Sequence, residues 1–222
     1  MFSLKKSLLG WAATGLVFCA MSAQAQVRIT EVAPWSSSNS TVAADWFEMT
    51  NFGSTAVSIA GWKMDDDSAS FSSAVALNGV TTINAGQSVI FVEGGATQVT
   101  ALKNDWLTGS TPIGYYSGSG VGLSTTSDQV NIFDNTGTLQ AKVIFGASDA
   151  TSPYQTFDNA AGLNGVTISQ LSQVGINGAH TAVSGTEIGS PGSIAAVPEN
   201  ETFAMLLAGL GIVGAIARRR RS

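Results

Sequence analysis

The sequence holds few of the residues on which most enzyme chemistry depends. Its 222 residues include one cysteine, Cys19, and one histidine, His180. Cys19 lies within an apolar N-terminal run that we expect to be removed, so the remaining chain would have neither a disulfide nor a thiol nucleophile. Stability must therefore come from a packed core.

His180 alone does not indicate a catalytic site. A serine hydrolase triad would need it, but the sequence lacks the Gly-x-Ser-x-Gly pattern that presents the nucleophile. The glycine-rich stretch 118–122 lacks the lysine and the strand-to-helix setting of a phosphate-binding loop. We interpret His180 as an ordinary exposed residue and predict that the protein is not an enzyme.

Basic residues are scarce in residues 26–196, which we call the body. Of the ten Lys and Arg in the chain, two precede the body and four close the chain, which leaves Arg28, Lys63, Lys103 and Lys142. The body carries thirteen Asp and Glu, so its net charge is near −9. Binding to nucleic acid by neutralising phosphates is therefore not expected.

Residues 1–25 have the pattern of a secretory signal peptide. Lys5 and Lys6 precede an apolar stretch over residues 8–20, and Ala23-Gln24-Ala25 supplies small residues for cleavage. The segment is too short for a stable membrane span. We expect signal peptidase to leave a mature chain that begins at Gln26.

Residues 197–222 form a tail with a second export pattern. An uncharged run over residues 202–217 is followed by Arg218, Arg219, Arg220 and Arg221. Such a run indicates a short transmembrane helix with its C-terminus in the cytoplasm, because cationic flanks stay inside. The run is shorter than the roughly 20 residues of a comfortable span and is rich in Ala and Gly. A plain weak anchor and a helix recognised by a membrane enzyme are both open.

The tail resembles the PEP-CTERM sorting signal of exopolysaccharide-producing Gram-negative bacteria. Pro198 and Glu199 match the first two positions of the Pro-Glu-Pro motif, while Asn200 stands where the third is usually proline. The resemblance implies that an exosortase-type membrane protease cuts near this motif after transient anchoring in the inner membrane. The protein would then reach the cell surface or the medium.

The body alternates short apolar runs with turn signals such as Asn78-Gly79 and Asn164-Gly165. This pattern predicts an all-β sandwich or barrel. Strands are predicted at residues 27–32, 45–51, 57–62, 87–93, 129–134 and 139–145, and a single short helix at 98–107. Alternation places Phe47 and Met49 on one face of the second strand, with Trp46 and Glu48 opposite, and the continuous apolar run over 89–92 is typical of a strand buried on both faces. In the last strand, Leu139, Ala141, Val143 and Phe145 share the inward face. Region 147–196 is polar and glycine-rich, and there we predict one or two late strands and then a linker through Ser190–Ser193.

A second resemblance covers residues 26–146. The ordered segments that carry it are Ile29-Thr30-Glu31, Asp45-Trp46-Phe47-Glu48, Ile59-Ala60-Gly61-Trp62 and the run over 128–134. Together they resemble the lamin-tail domain, and Ser190-Pro191-Gly192 resembles the short Pro-Gly segment that often closes the bacterial version of that domain. The resemblance implies an immunoglobulin-like β-sandwich in a family known for interaction and accessory roles. Residues 147–196 would follow as late strands and linker.

Two sets of side chains in the body are candidates for binding. Asp65, Asp66 and Asp67 could offer oxygen ligands to calcium, although a solvated turn is the simpler interpretation. The exposed aromatic residues Trp46, Tyr115 and Tyr116 could form a surface that stacks on sugars. Trp62 fits a core position better.

Glu31 and Glu48 fall on neighbouring predicted strands. Two carboxylates in a cleft, about 5 to 10 Å apart, would suit a glycosidase. We interpret them instead as residues that satisfy backbone groups or tie strand ends.

The sequence as a whole predicts an exported, non-enzymatic interaction protein of the envelope or extracellular matrix. Its expected partners are signal peptidase, an exosortase-type protease and extracellular polysaccharide, and no cofactor is expected apart from the calcium considered above. Two alternatives remain open: an accessory of an extracellular enzyme such as a nuclease, and a calcium-dependent adhesion module.

Overall fold

The computed structural model describes residues 27–35, 41–148 and 151–193, together with Gly209. The predicted signal peptide, the motif at Pro198–Asn200, the apolar run and the terminal arginines lie outside these residues. Among the residues that are described, no helix is long and apolar enough to cross a membrane.

The described chain consists of short strands and one helix. In chain order the elements are β1 (Val27–Ala33), β2 (Trp46–Asn51), β3 (Val57–Ser58), β4 (Lys63–Asp65), β5 (Val75–Ala76), β6 (Thr82–Ile83), β7 (Ser88–Glu93), α1 (Ala96–Trp106), β8 (Ile113–Tyr116), β9 (Asp128–Phe133), β10 (Leu139–Phe145), β11 (Tyr154–Gln155), β12 (Phe157–Asp158), β13 (Val166–Ile168), β14 (His180–Thr181) and β15 (Glu187–Gly189).

Two five-stranded sheets form a sandwich. The first has the order β12-β1-β2-β7-β8 and the second the order β13-β10-β9-β4-β5. A smaller sheet, β11-β15-β14, and the pair β3-β6 complete the described strands. The predicted all-β sandwich is confirmed.

The inner core fills the space between the two sheets. Its large, fully buried side chains include residues from both sheets: Ile29, Phe47, Met49, Met64, Phe91, Tyr116, Phe145 and Phe157. Phe47 and Met49 share this core as predicted, because alternate residues of a strand point to one face. Trp62 also belongs to it, as expected.

An outer core covers the other face of the first sheet. It contains Trp35, Trp46, Ile90, Val92, Leu102, Trp106 and Ala182, with Tyr115 and Tyr154 packed against it. These residues come from the first sheet, from α1, from residue 35 after β1 and from the late region. The sheet is therefore buried on both faces, as the continuous apolar run over 89–92 predicts.

Three local features differ from the predictions. The strand predicted at 57–62 ends at Ser58, because a turn at Gly61 with φ 76° reverses the chain before β4. Leu139 was expected on the buried face of β10, but a β-bulge between Leu139 and Ala141 leaves it 47% exposed. The helix covers 96–106 instead of 98–107.

The region after residue 150 contains five short strands, β11–β15, where one or two were predicted. β12 pairs with β1 at the edge of the first sheet, and β13 pairs with β10 at the edge of the second. Phe157 and Ile168 enter the inner core. The segment Ser190–Ser193, predicted as linker, has Ser190 and Pro191 buried against the body, because hydrogen bonds described below hold it there.

Candidate functional site

The candidate site is built around two buried glutamates on the outer face of the first sheet. Glu31 of β1 and Glu48 of β2 are direct cross-strand partners, and each is 1% exposed. The register shifts between Ile29 and Glu31. This β-bulge inserts one residue, so Glu31 faces the same side of the sheet as Glu48.

Each carboxylate accepts hydrogen bonds from both side chains and backbone. Glu31 Oε1 accepts the Thr156 hydroxyl at 2.5 Å and the Ser190 amide at 2.7 Å. Its Oε2 has no hydrogen-bond partner among the described residues.

Glu48 is more fully coordinated. Its Oε1 accepts the hydroxyls of Thr30 at 2.6 Å and Ser88 at 3.1 Å, and its Oε2 accepts the Gly192 amide at 2.5 Å. The interpretation that these glutamates satisfy backbone groups is therefore confirmed. The backbone they satisfy belongs to the C-terminal segment Ser190–Gly192.

Burial raises the pKa of both glutamates. Burial, with a smaller contribution from the nearby Glu48 charge, raises the pKa of Glu31 to about 8. Burial also raises the pKa of Glu48, to about 7, against the opposing effect of its hydrogen-bond donors. Because like charges in a dry site disfavour each other, the pair retains a proton at neutral pH.

A groove of about 340 Å³ lies beside this pair. It is lined by residues 105–108 at the end of α1, by part of β14 and by residues 191–193. Gly192 connects the two features, since it lines the groove and donates to Glu48. A second cavity of about 320 Å³ shares Thr111 and Gly192 with the groove and is also lined by Ser88.

His180 and Asp105 both line the groove, but each has a structural partner. The His180 ring meets the Trp106 ring edge-on, with centroids 5.6 Å apart. The Asp105 carboxylate accepts the Ser184 amide at 2.8 Å and its hydroxyl at 3.0 Å. His180 is half-buried in β14, where the sequence predicted an exposed residue.

The aromatic candidates do not form a sugar-stacking surface. Trp46 and Tyr116 are fully buried, Trp46 in the outer core and Tyr116 in the inner core. Tyr115 is half-buried and packs against the outer core. A sugar-stacking surface would need exposed rings, and this prediction was wrong because α1 and the late strands cover Trp46, while Tyr116 lies between the two sheets.

The acidic triplet divides into three different environments. Asp65 is fully buried and accepts the Ser68 hydroxyl, the Ser70 amide and the Ser73 hydroxyl at 2.6–3.0 Å. Asp66 is half-buried and Asp67 is exposed. In the described ranges, no group of three or more His, Cys, Asp or Glu is placed to hold a metal ion.

Sequence reasoning missed the capping of the glutamates and the groove. Ser190 lies 159 residues from Glu31, and Gly192 lies 144 residues from Glu48. No local pattern joins such distant residues. The one available signal was the Ser190-Pro191-Gly192 sequence, which resembles the segment that closes bacterial lamin-tail domains.

These features define a class: a two-sheet β-sandwich whose C-terminal segment is fixed to buried acids of its first strands. A family model described as Lamin Tail Domain matches residues 20–147, more than half of the chain. The protein therefore belongs to the Lamin Tail Domain family. Searches of curated proteins and of solved structures returned no match.

Proposed function

We propose that the protein is an exported, non-enzymatic interaction module of the cell envelope or extracellular matrix. Signal peptidase removes residues 1–25, and the tail at 197–222 holds the body at the inner membrane. An exosortase-type protease then cuts near Pro198, Glu199 and Asn200. The body reaches the surface or the medium, where extracellular polysaccharide is its expected environment.

The observation that supports this proposal most is the position of the predicted motif, which follows the last described residues of the body. The described body is held together through residue 192, where the Gly192 amide donates to Glu48. The predicted motif begins at Pro198, five residues after Ser193. A cut at the motif would therefore leave the glutamate pair and its C-terminal donors together in the released body.

The chemistry of the body's ionisable groups supports a non-enzymatic role. Glu31 and Glu48 are nearly inaccessible, and the Ser190–Gly192 segment donates to both of them. A substrate could reach the pair only if that segment were displaced. Asp65 and Asp105 likewise serve as acceptors for nearby serines.

The test is fractionation of the native host carrying tail variants. Replacement of all four arginines by glutamine should reduce release of the body, because the cationic flank that keeps the C-terminus of the tail in the cytoplasm is removed. Asn200→Pro restores the third motif position and should increase the processed fraction. Lys63→Gln, which removes a body cation, is the matched control. If the parent, the arginine variant, Asn200→Pro and Lys63→Gln all had the same mass and the same location, the proposal would be contradicted.

A further inference from the structure

Residues Ser190–Ser193 form a single tight turn. The Ser193 amide donates to the Ser190 carbonyl at 2.9 Å, with Pro191 and Gly192 at the two central positions. Gly192 has φ 79°, and a proline followed by a glycine of positive φ is the pattern of a type II turn. Because the proline fixes one dihedral angle and the hydrogen bond closes the loop, we expect the four residues to move as a unit. We call them the closing turn.

The closing turn contacts both buried glutamates, with one backbone amide for each. The Ser190 amide donates to Glu31, and the Gly192 amide donates to Glu48. The other donors to the two carboxylates are side-chain hydroxyls outside the turn. Displacement of the closing turn would therefore remove both backbone donors at once and leave the pairing of β1 with β2 intact.

The surroundings of the pair are dry while the closing turn is in place. Glu31 Oε2 has no hydrogen-bond partner among the described residues, and a Cβ added at Gly189 would lie 2.7 Å from Glu31 Oε1. Gly192 lines both the groove and the second cavity, so a displaced turn would connect the pair to solvent. Ionised carboxylates are much more stable in water than in a dry interior. Hydration of the pair is therefore gained in the open form.

The strand register places three acids side by side. Asp158 of β12 is the cross-strand partner of Glu31, and Glu31 is the cross-strand partner of Glu48. Like charges directly opposite each other on neighbouring strands are destabilising. After burial and the charge of Glu48, the charge of Asp158 also raises the pKa of Glu31. Ionisation of the whole row is thus opposed by the sheet itself.

The other ionisable groups near the pair belong to several elements. Arg28 shares β1, and its guanidinium donates to the Val27 carbonyl at 3.0 Å. Glu187 of β15 is buried, and Asp105 and His180 line the groove. Among the described residues that line the groove and the second cavity there is no lysine or arginine. The side of the pair that the closing turn covers therefore supplies no compensating cation.

We propose that the closing turn is a pH-operated latch, which is shut while Glu31 and Glu48 share a proton and opens when both are ionised. In the open form water reaches the carboxylates, so their pKa values return toward the ordinary 4.5 from about 8 and about 7. The shut form thus binds protons more tightly and is fully favoured below about pH 5. The open fraction rises from there to about pH 8, by up to about tenfold per pH unit for each proton released.

Opening changes the point at which the chain leaves the fold. With the latch shut, residues 194–197 connect Ser193 to the predicted motif at Pro198, and with the latch open, residues 190–197 connect Gly189 to it. The four added residues extend the reach by at most roughly 14 Å. Easier access of a membrane protease to the motif at higher pH would follow. This consequence rests on the proposed function, whereas the latch depends on the body alone.

Hydrogen exchange with mass spectrometry tests the latch on the full chain in detergent micelles. Labelling between pH 5 and pH 9, with times scaled to the intrinsic chemical rate at each pH, measures the protection of the amides in residues 187–193. A peptide from β9 and β10 reports unfolding of the whole body. Glu31→Gln removes one ionisable member of the pair, and Asp67→Asn, which removes an exposed acid, is the matched control.

We expect protection of the Ser190 and Gly192 amides to fall at least tenfold between pH 5 and pH 8 in the parent and in Asp67→Asn, while β9 and β10 stay protected. In Glu31→Gln the fall should be at least threefold smaller. No fall in the parent, or an equal fall in all three proteins, would overturn the latch.

A joint loss of protection in both peptides would show unfolding of the whole body and would also overturn the latch. The parent alone decides between local and global opening if Glu31→Gln does not fold. Because the exchange reports on the body, a failed latch leaves the proposed function standing, and an uncleaved tail leaves the latch standing.

Discussion

Glu31 and Glu48 face each other across the first two strands of the sandwich, and the C-terminal segment donates a backbone N–H to each. Two acids thus join the beginning of the body to its end. Isolated buried charges are costly, but a pair that holds a proton and accepts several hydrogen bonds is tolerated. The pair makes the C-terminal segment part of the fold.

The glutamate pair should make stability depend on pH. Both pKa values lie above the unfolded value of 4.5, so between about pH 5 and 8 the folded protein binds more protons than the unfolded one. The pair's contribution to the free energy of unfolding should be fully present below that range and be lost as pH rises through it, by up to about 1.4 kcal/mol per pH unit for each proton retained. Denaturant unfolding at a series of pH values measures this slope.

Glutamine variants separate the two members of the pair. Glu31→Gln keeps Oε1 as acceptor and places its amide where Oε2 lacks a partner, so it should flatten the slope and stabilise the body near pH 8. Glu48→Gln replaces one carboxylate oxygen with an NH2 group, which would face either the hydroxyls of Thr30 and Ser88 or the Gly192 N–H. It should therefore lower the free energy of unfolding by about 1–2 kcal/mol. Asp67→Asn, at an exposed position, should keep the parent slope. An unchanged slope in Glu31→Gln would argue against a proton held by the pair.

Gly192→Ala should loosen the attachment of the C-terminal segment. Gly192 has φ 79°, and an added Cβ would collide with Thr111 Oγ1. Gly185 has a similar φ of 74° but open space around it, so Gly185→Ala is a control that adds backbone strain without a collision. It should lower the free energy of unfolding by about 1 kcal/mol. Gly192→Ala should cost about 1–3 kcal/mol more, because the bond to Glu48 is disturbed. Equal thermal unfolding of the two variants would show that the segment does not stabilise the body.

Leu107→Gly should stabilise the body by about 1 kcal/mol, since glycine adopts the left-handed conformation without a Cβ clash. Leu107→Ala keeps the Cβ and should give no gain. Thermal unfolding of the three proteins measures the difference. A loss of stability in Leu107→Gly would mean that the leucine side chain contributes packing that its 72% exposure does not indicate.

Asp65→Ala should destabilise the turn after β4 by about 1–3 kcal/mol, because the Ser70 amide and two serine hydroxyls lose their acceptor. Asp67→Ala, at an exposed position, should have little effect. Calcium should leave the melting temperature of the parent and both variants unchanged. A calcium-dependent rise that disappears in Asp65→Ala would identify a cation site and favour the adhesion alternative.

Residue alternation predicted the first sheet well. The contrast between Phe47 and Trp46, on opposite faces of β2, and the doubly buried run at 89–92 both followed from the period of two. The bulge that exposes Leu139 could not be predicted from this period, because one inserted residue changes the face of the residues on the other side of the bulge. Such a shift depends on the partner strand and not on the local sequence.

The late region and the site were harder to predict for the same reason. Strands of two or three residues, such as β12 and β13, are too short to show a period. Their pairing with β1 and β10 is what covers the sandwich edges. The burial of Trp46 also depends on long-range packing, through Trp106 of α1, whose ring lies 5.8 Å away and edge-on. Neighbouring positions for Glu31 and Glu48 were predicted, but not the distant amides that cap them.

The most direct test of the whole account is the intact mass of the protein recovered from the medium and from the membranes of the native host. We predict a released species that begins at Gln26 and ends near Pro198 or Glu199. A membrane-bound species that retains Arg218–Arg221, with no shorter form in the medium, would contradict export through a cleaved sorting tail and would identify the tail as a plain anchor.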